Sequence, residues 1–141
     1  MLIQKPDIVV VIPVYKATLS AAEQATVAQG RDVLAAYTRI LVCPKSLDTS
    51  AYLAIDADLQ MEYFDDTFFA NIKGYNQLMM SPSFYARFRK YQYLLIYQTD
   101  AWVFRDELLD WCQKGYDYIG APWVTMPPMT KKPIKIGRAH V

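Results

Sequence analysis

The first long apolar run, Ile8-Val9-Val10-Val11-Ile12, is unbroken and made of branched residues. A run without polar alternation suits a strand covered on both faces, as in a parallel sheet. Proline donates no amide hydrogen, so pairing is expected to stop at Pro13, leaving Val14-Tyr15-Lys16 as a loop at the strand's carboxyl end. Ser20 and Glu23 stand at capping-box spacing and predict a helix over 20–37, with Val27, Val33, Leu34 and Tyr37 at roughly helical intervals. Gly30 weakens that helix and is expected to bend or split it. Arg39–Cys43 is a second strand, ended by Pro44. This β-α-β order calls for a parallel sheet with a right-handed crossover.

Leu47, Leu53, Ile55 and Leu59 indicate a short helix or an irregular turn, and Met61–Phe64 a third strand. Asp65-Asp66 reads as a cap favoured by backbone amides rather than a ligand pair. Phe69, Ile72, Leu78 and Met79 predict a helix through about Met80, and Ser81-Pro82 has the form of an N-cap and first helical residue for the next. Tyr93–Tyr97 is again continuously apolar and reads as the central strand, buried on both faces. A helix follows over Asp106–Lys114, with Gly115 at its C-terminal end, then a strand at Tyr116–Ile119 and a turn at Gly120–Trp123. The fold class is therefore α/β, with a Rossmann-like open, mostly parallel sheet flanked by helices.

Composition narrows the function classes. At 141 residues the chain is long enough for one domain with a real core, and 53% hydrophobic against 21% charged residues is globular composition. A net charge of +1 provides no overall field for nucleic acid. The clusters Arg87/Arg89/Lys90 and Lys131/Lys132/Lys135 read as solvated faces. Cys43 and Cys112 lack metal-site spacing and are expected to be free, buried thiols in a reducing, cytoplasmic compartment. No apolar run reaches membrane-spanning length, which leaves peripheral contact with the inner face of a membrane open. Ile136–Val141 reads as the translation of a common DNA-sequencing adapter. Residues 1–135 are thus expected to form one domain, incomplete at its C-terminus, with 136–141 as a non-native tail.

The candidate chemistry sits where strands end. Gln98-Thr99-Asp100 breaks the fourth apolar run, and a carboxylate emerging from a buried strand is costly unless a cation or strong donors meet it. In open α/β sheets ligands bind at the carboxyl ends of the strands, which would gather Pro13-Val14-Tyr15, the Gly74-Tyr75-Asn76 segment and Gln98-Thr99-Asp100.

The stretch IKGYNQLMMSPSFYARFRKYQYLLIYQTDAWVFRDELLDWCQKGYDYIGAPW resembles a bacterial family of uncharacterised, glycosyltransferase-like proteins and, more distantly, the nucleotide-sugar-binding half of the GT-A fold. The likeness covers roughly Ile8 to Trp123. It implies that Pro13, Val14 and Tyr15 contact the nucleotide, with the Tyr15 ring against a base or serving as a loop anchor. It implies that Asp100, last residue of an Asp-x-Asp-like Gln98-Thr99-Asp100, holds a divalent cation, Mn or Mg, bridging the donor diphosphate. Gln98 departs from the family pattern and would bond a ribose hydroxyl instead. Gly74 and Asn76 would lie beside the donor, or serve helix packing and capping. Asp117 and Trp123 would face a glycan acceptor, or form a rigid turn. The implied partners are a nucleotide-sugar donor and a glycan acceptor, with a non-catalytic nucleotide-binding or assembly module as the rival. A catalytic base cannot be assigned, and the shortened chain is expected to keep donor residues while lacking turnover.

Overall fold

The computed structural model describes residues 2–120. Trp123 and the proposed tail at 136–141 therefore lie outside the described residues. Four strands form one parallel sheet: β1 (Ile8–Pro13), β2 (Thr38–Pro44), β3 (Gln60–Phe64) and β4 (Tyr93–Ile96), in the order β3-β2-β1-β4. The helices are α1 (Ala21–Val33), α2 (Ser50–Ile55), α3 (Ile72–Met79), α4 (Pro82–Ala86) and α5 (Leu108–Gln113). The expected α/β class with an open parallel sheet flanked by helices is the observed one.

Strand periodicity sorts the core into two layers. Ile8, Val10 and Ile12 of β1 point into one layer with Leu41 and Cys43 of β2, packed against Val27, Leu34, Tyr52 and Cys112 from the α1, α2 and α5 side. Val9 and Val11 point the other way, with Ile40 and Val42 of β2 and Phe64 of β3, onto Leu78, Phe84 and Phe88 from the α3 and α4 side. Both cysteines are free and buried, and burial pushes the Cys43 thiol up to about 11.

The capping box is formed as its spacing requires. The Ser20 hydroxyl accepts from the Glu23 amide at 3.2 Å, and the Glu23 carboxylate accepts from the Ser20 amide at 2.8 Å. Asp65 caps the short 3-10 turn Asp66–Phe69 by accepting from the Thr67 amide. Strand β1 ends at Pro13, with the Val14 amide making the last bond to the Val42 carbonyl.

Three expectations are corrected. Helix α1 runs without interruption through Gly30, which is buried because the Tyr97 ring rests on it: a Cβ there would meet Tyr97 Cε1 at 2.7 Å. Strand β4 is packed on both faces, Tyr93 and Leu95 in one layer and Leu94 in the other, but among the described residues it pairs only with β1. Among the described residues it is thus an edge strand, with Ile96 exposed, and the central places belong to β1 and β2. Tyr116–Ile119 is not a strand: it follows the positive-φ Gly115 that ends α5, and Tyr116, Tyr118 and Ile119 are each about half exposed.

A buried ion pair ties the crossover together. The guanidinium of Arg39, in β2, grips both carboxylate oxygens of Asp56 at 2.7 and 3.0 Å and donates further to the Leu34, Ala35 and Tyr37 carbonyls behind α1. Both side chains are almost fully buried. At the same end of the sheet, Asp106 accepts from Lys5 at 2.6 Å and from the Tyr37 hydroxyl at 2.7 Å, docking the segment before α5.

Two predictions follow from this packing. Asp56→Ala leaves a buried guanidinium without its partner and should destabilise the fold by about 3–5 kcal/mol in urea unfolding, while the double change Arg39→Met/Asp56→Leu should recover most of that loss. Gly30→Ala raises helix propensity by up to about 1 kcal/mol but collides with a buried ring, for a net loss of about 1–2 kcal/mol in the same assay.

Candidate functional site

The strand order places a topological switch between β1 and β4: the chain winds outward through β2 and β3, then returns to the opposite side of β1. Crevices in open α/β sheets form outside the carboxyl ends of the strands at such a switch. A cavity of about 620 Å³ lies there, lined by Pro13, Val14, Tyr15 and Glu23 on one side and by Gln98, Thr99 and Asp100 on the other. Phe69–Ile72 and Tyr75 complete its wall. Its volume is within the range usual for small-molecule sites.

Register explains why these loops meet. Val11 pairs with Ile96, and the Tyr97 amide donates to the Val11 carbonyl at 2.9 Å. Counting two residues onward sets Gln98 level with Pro13, and the loops that follow bring Tyr15 and Asp100 to the lining of the same cavity. Val14 is buried and anchors its loop, whereas the Tyr15 ring is 64% exposed. The Tyr52 hydroxyl holds the Lys16 carbonyl at 2.7 Å and fixes the loop from below.

The polar groups of the cavity are unequal in commitment. Gln98 donates its side-chain amide to the Tyr75 hydroxyl at 2.9 Å, which ties the β4 loop to α3. Glu23 accepts from Lys16 Nζ at 2.7 Å as well as from the Ser20 amide. The Lys16 bond, followed by the Ser20 amide, lowers the Glu23 pKa, and the same bond to Glu23 raises that of Lys16. Asp100 is exposed at the cavity wall. Among the described residues no group of three His, Cys, Asp or Glu is arranged to hold a metal ion.

Of the residues singled out from sequence, Pro13, Val14, Tyr15, Gln98 and Asp100 converge on this cavity. Gly74 and Asn76 are not part of its lining. Gly74 is buried where α3 crosses the preceding turn: a Cβ there would lie 2.6 Å from the Thr67 carbonyl oxygen, and its amide is capped by Asn71 at 2.8 Å. Asn76 is exposed on α3, and it is its neighbour Tyr75 that faces the cavity. Asp117 is exposed and also outside the lining. Sequence reasoning missed Glu23 and Asn71; Tyr75 stood within the predicted Gly74-Tyr75-Asn76 segment and is the member of it that lines the cavity. Glu23 was legible only as half of a capping box, a signal that gives no hint of the cavity behind it.

Fold and cavity together define an α/β protein with a ligand-sized crevice at the switch point of a parallel sheet. The family model DUF5672, described as protein of unknown function, matches residues 58–138, and the chain belongs to that family. No curated protein and no solved structure matches the chain. The matched segment carries the Phe69–Ile72, Tyr75 and Gln98–Asp100 parts of the cavity wall. Among the described residues, no helix is long and apolar enough to cross a membrane.

Gly74→Ala should force α3 off the Thr67 carbonyl. A loss of about 1–3 kcal/mol in stability is expected, together with a change in the tyrosine near-ultraviolet circular dichroism as Tyr75 leaves Gln98.

Proposed function

We propose that this protein is the donor-binding part of a cytoplasmic glycosyltransferase, which moves a sugar from a nucleotide-sugar donor to a glycan acceptor. The observation that carries this reading is the convergence of Pro13-Val14-Tyr15 and Gln98-Thr99-Asp100 on one cavity at the strand ends. Tyr15 presents an exposed ring at the cavity wall, suited to stack on a base. Gln98, held by Tyr75 through its amide nitrogen, keeps its carbonyl oxygen for a ribose hydroxyl. Asp100 supplies the anionic ligand for Mn or Mg, with the remaining coordination coming from Thr99, water and the diphosphate itself. Such a cation offsets the charge that builds on a departing diphosphate. Peripheral contact with the inner face of a membrane suits a glycan acceptor that grows at the cell surface.

A second reading is a non-catalytic nucleotide-binding or assembly module. It is favoured by the state of Glu23: this carboxylate is engaged by Lys16 and Ser20, so Asp100 is the one cavity carboxylate among the described residues without such an engagement.

Titration calorimetry with nucleoside diphosphates, with and without manganese, separates the two. The transferase reading expects binding strengthened by the cation and weakened about tenfold or more by Asp100→Ala. Binding that ignores manganese points to the module, and no binding by any nucleoside diphosphate rejects both.

A further inference from the structure

The cavity has an unusual charge inventory for a site meant to take a diphosphate. Among the described residues its lining holds two carboxylates, Glu23 and Asp100, and no lysine, arginine or histidine. The nearest cation in the loop after β1 is Lys16, which is not part of the wall and reaches it only through its 2.7 Å bond to Glu23. The Lys16 side chain is 42% exposed and that of Glu23 18%, so the lysine is the movable partner and the glutamate the fixed one. Glu23 is fixed because its other oxygen accepts from the Ser20 amide at the start of α1. The Lys16 main chain is anchored too, by the Tyr52 hydroxyl, so only its side chain has room to turn.

A lysine ammonium and a backbone amide at the start of a helix are the donors that a phosphate oxygen would take. Here the Glu23 carboxylate takes both. We infer that Glu23 stands in for a ligand phosphate, and that Lys16 passes from Glu23 to the diphosphate of the bound nucleotide. This inference rests on the nucleotide-binding reading and adds a residue to it. In the empty cavity Lys16 is neutralised, so the cavity is acidic and attracts a cation. With cation and diphosphate in place, the swing of Lys16 brings its charge onto the phosphates and leaves Glu23 with Ser20. Both states of the lysine are satisfied, so the rearrangement needs only torsions of one half-exposed side chain.

The test is a double-mutant cycle read by calorimetry on the full chain, using manganese with uridine diphosphate and with inorganic pyrophosphate as a probe free of any base. Glu23→Gln keeps the capping box, because glutamine still accepts from the Ser20 amide, and releases Lys16. It should tighten binding about threefold to tenfold. Lys16→Met should weaken binding, and by at least about threefold more in the Glu23→Gln background than in the native one, since the lysine is then no longer shared. Circular dichroism establishes that all four proteins are folded. Equal losses in the two backgrounds, or no loss on Lys16→Met, would overturn the handover while leaving nucleotide binding intact. Failure of the native chain to bind either probe with manganese would remove both readings together.

Discussion

The site depends on how one ring is seated. Tyr97 is the first residue beyond β4; its ring rests on Gly30 of α1 and its hydroxyl donates to the Thr26 carbonyl at 2.9 Å. Those two contacts fix the register in which β4 lies along β1, pairing Val11 with Ile96. Slipping the strand by one residue would turn Tyr97 to the other face and empty the notch at Gly30. It would also move Gln98 and Asp100 out of step with Pro13 and Tyr15. The glycine that looks like a flaw in helix α1 is thus the point where the sheet edge and the cavity wall are aligned.

Arg39 and Asp56 play the corresponding part on the other side of β1. The pair joins β2 to the end of α2 and, through three carbonyls, to the chain behind α1. Its net contribution to stability is small, because two charges give up water to form it. Its geometric effect is larger: one planar group, gripped by Asp56, donates to three carbonyls of the connection from α1 into β2 and holds it in a single arrangement. That connection sets where α1 sits, and α1 carries Gly30, Glu23 and the Ser20 cap. The two locks act on neighbouring parts of the same helix, Tyr97 on its middle and later turns and Arg39 on the chain that leaves its C-terminal end.

Much of this fold was legible in the order of apolar runs and breakers. Ile8–Ile12, Arg39–Cys43 and Met61–Phe64 became strands, Pro13 and Pro44 ended theirs, and Ser20/Glu23 and Asp65 are caps. These signals are local, carried by a residue and its near neighbours in the chain. What escaped was the set of features defined by distant partners. An apolar run states that both faces of a strand are covered, not whether both edges are paired, so Tyr93–Tyr97 gave no sign of its edge position. Gly30 and Gly74 owe their places to Tyr97 and to the Thr67 carbonyl, 67 and 7 residues away along the chain. Arg39 lay inside an apolar strand pattern, and its charge can be reconciled with burial only once Asp56 is brought to it by α2. The carboxyl-end rule found Tyr15 and Asp100, whereas the Gly74–Asn76 segment supplied Tyr75 to the wall instead of the two residues that flank it.

The electrostatics of the cavity carry the functional reading one step further. With a net charge of +1 the chain as a whole neither draws in nor repels a nucleotide at long range, so selection must come from contact. At contact, a lining with carboxylates and, among the described residues, no lysine, arginine or histidine would oppose a bare diphosphate. The opposition ends only if positive charge enters with the ligand or is released from an internal pair. Asp100 supplies a place for the first and Lys16, held by Glu23, a source for the second. Arranged in that way, the cavity would discriminate against free phosphate and bare nucleotide alike, and would favour a diphosphate that arrives already bridged by a metal ion. Discrimination of this kind follows from where charges are stored before binding, and it needs no large positive patch to announce the site on the surface.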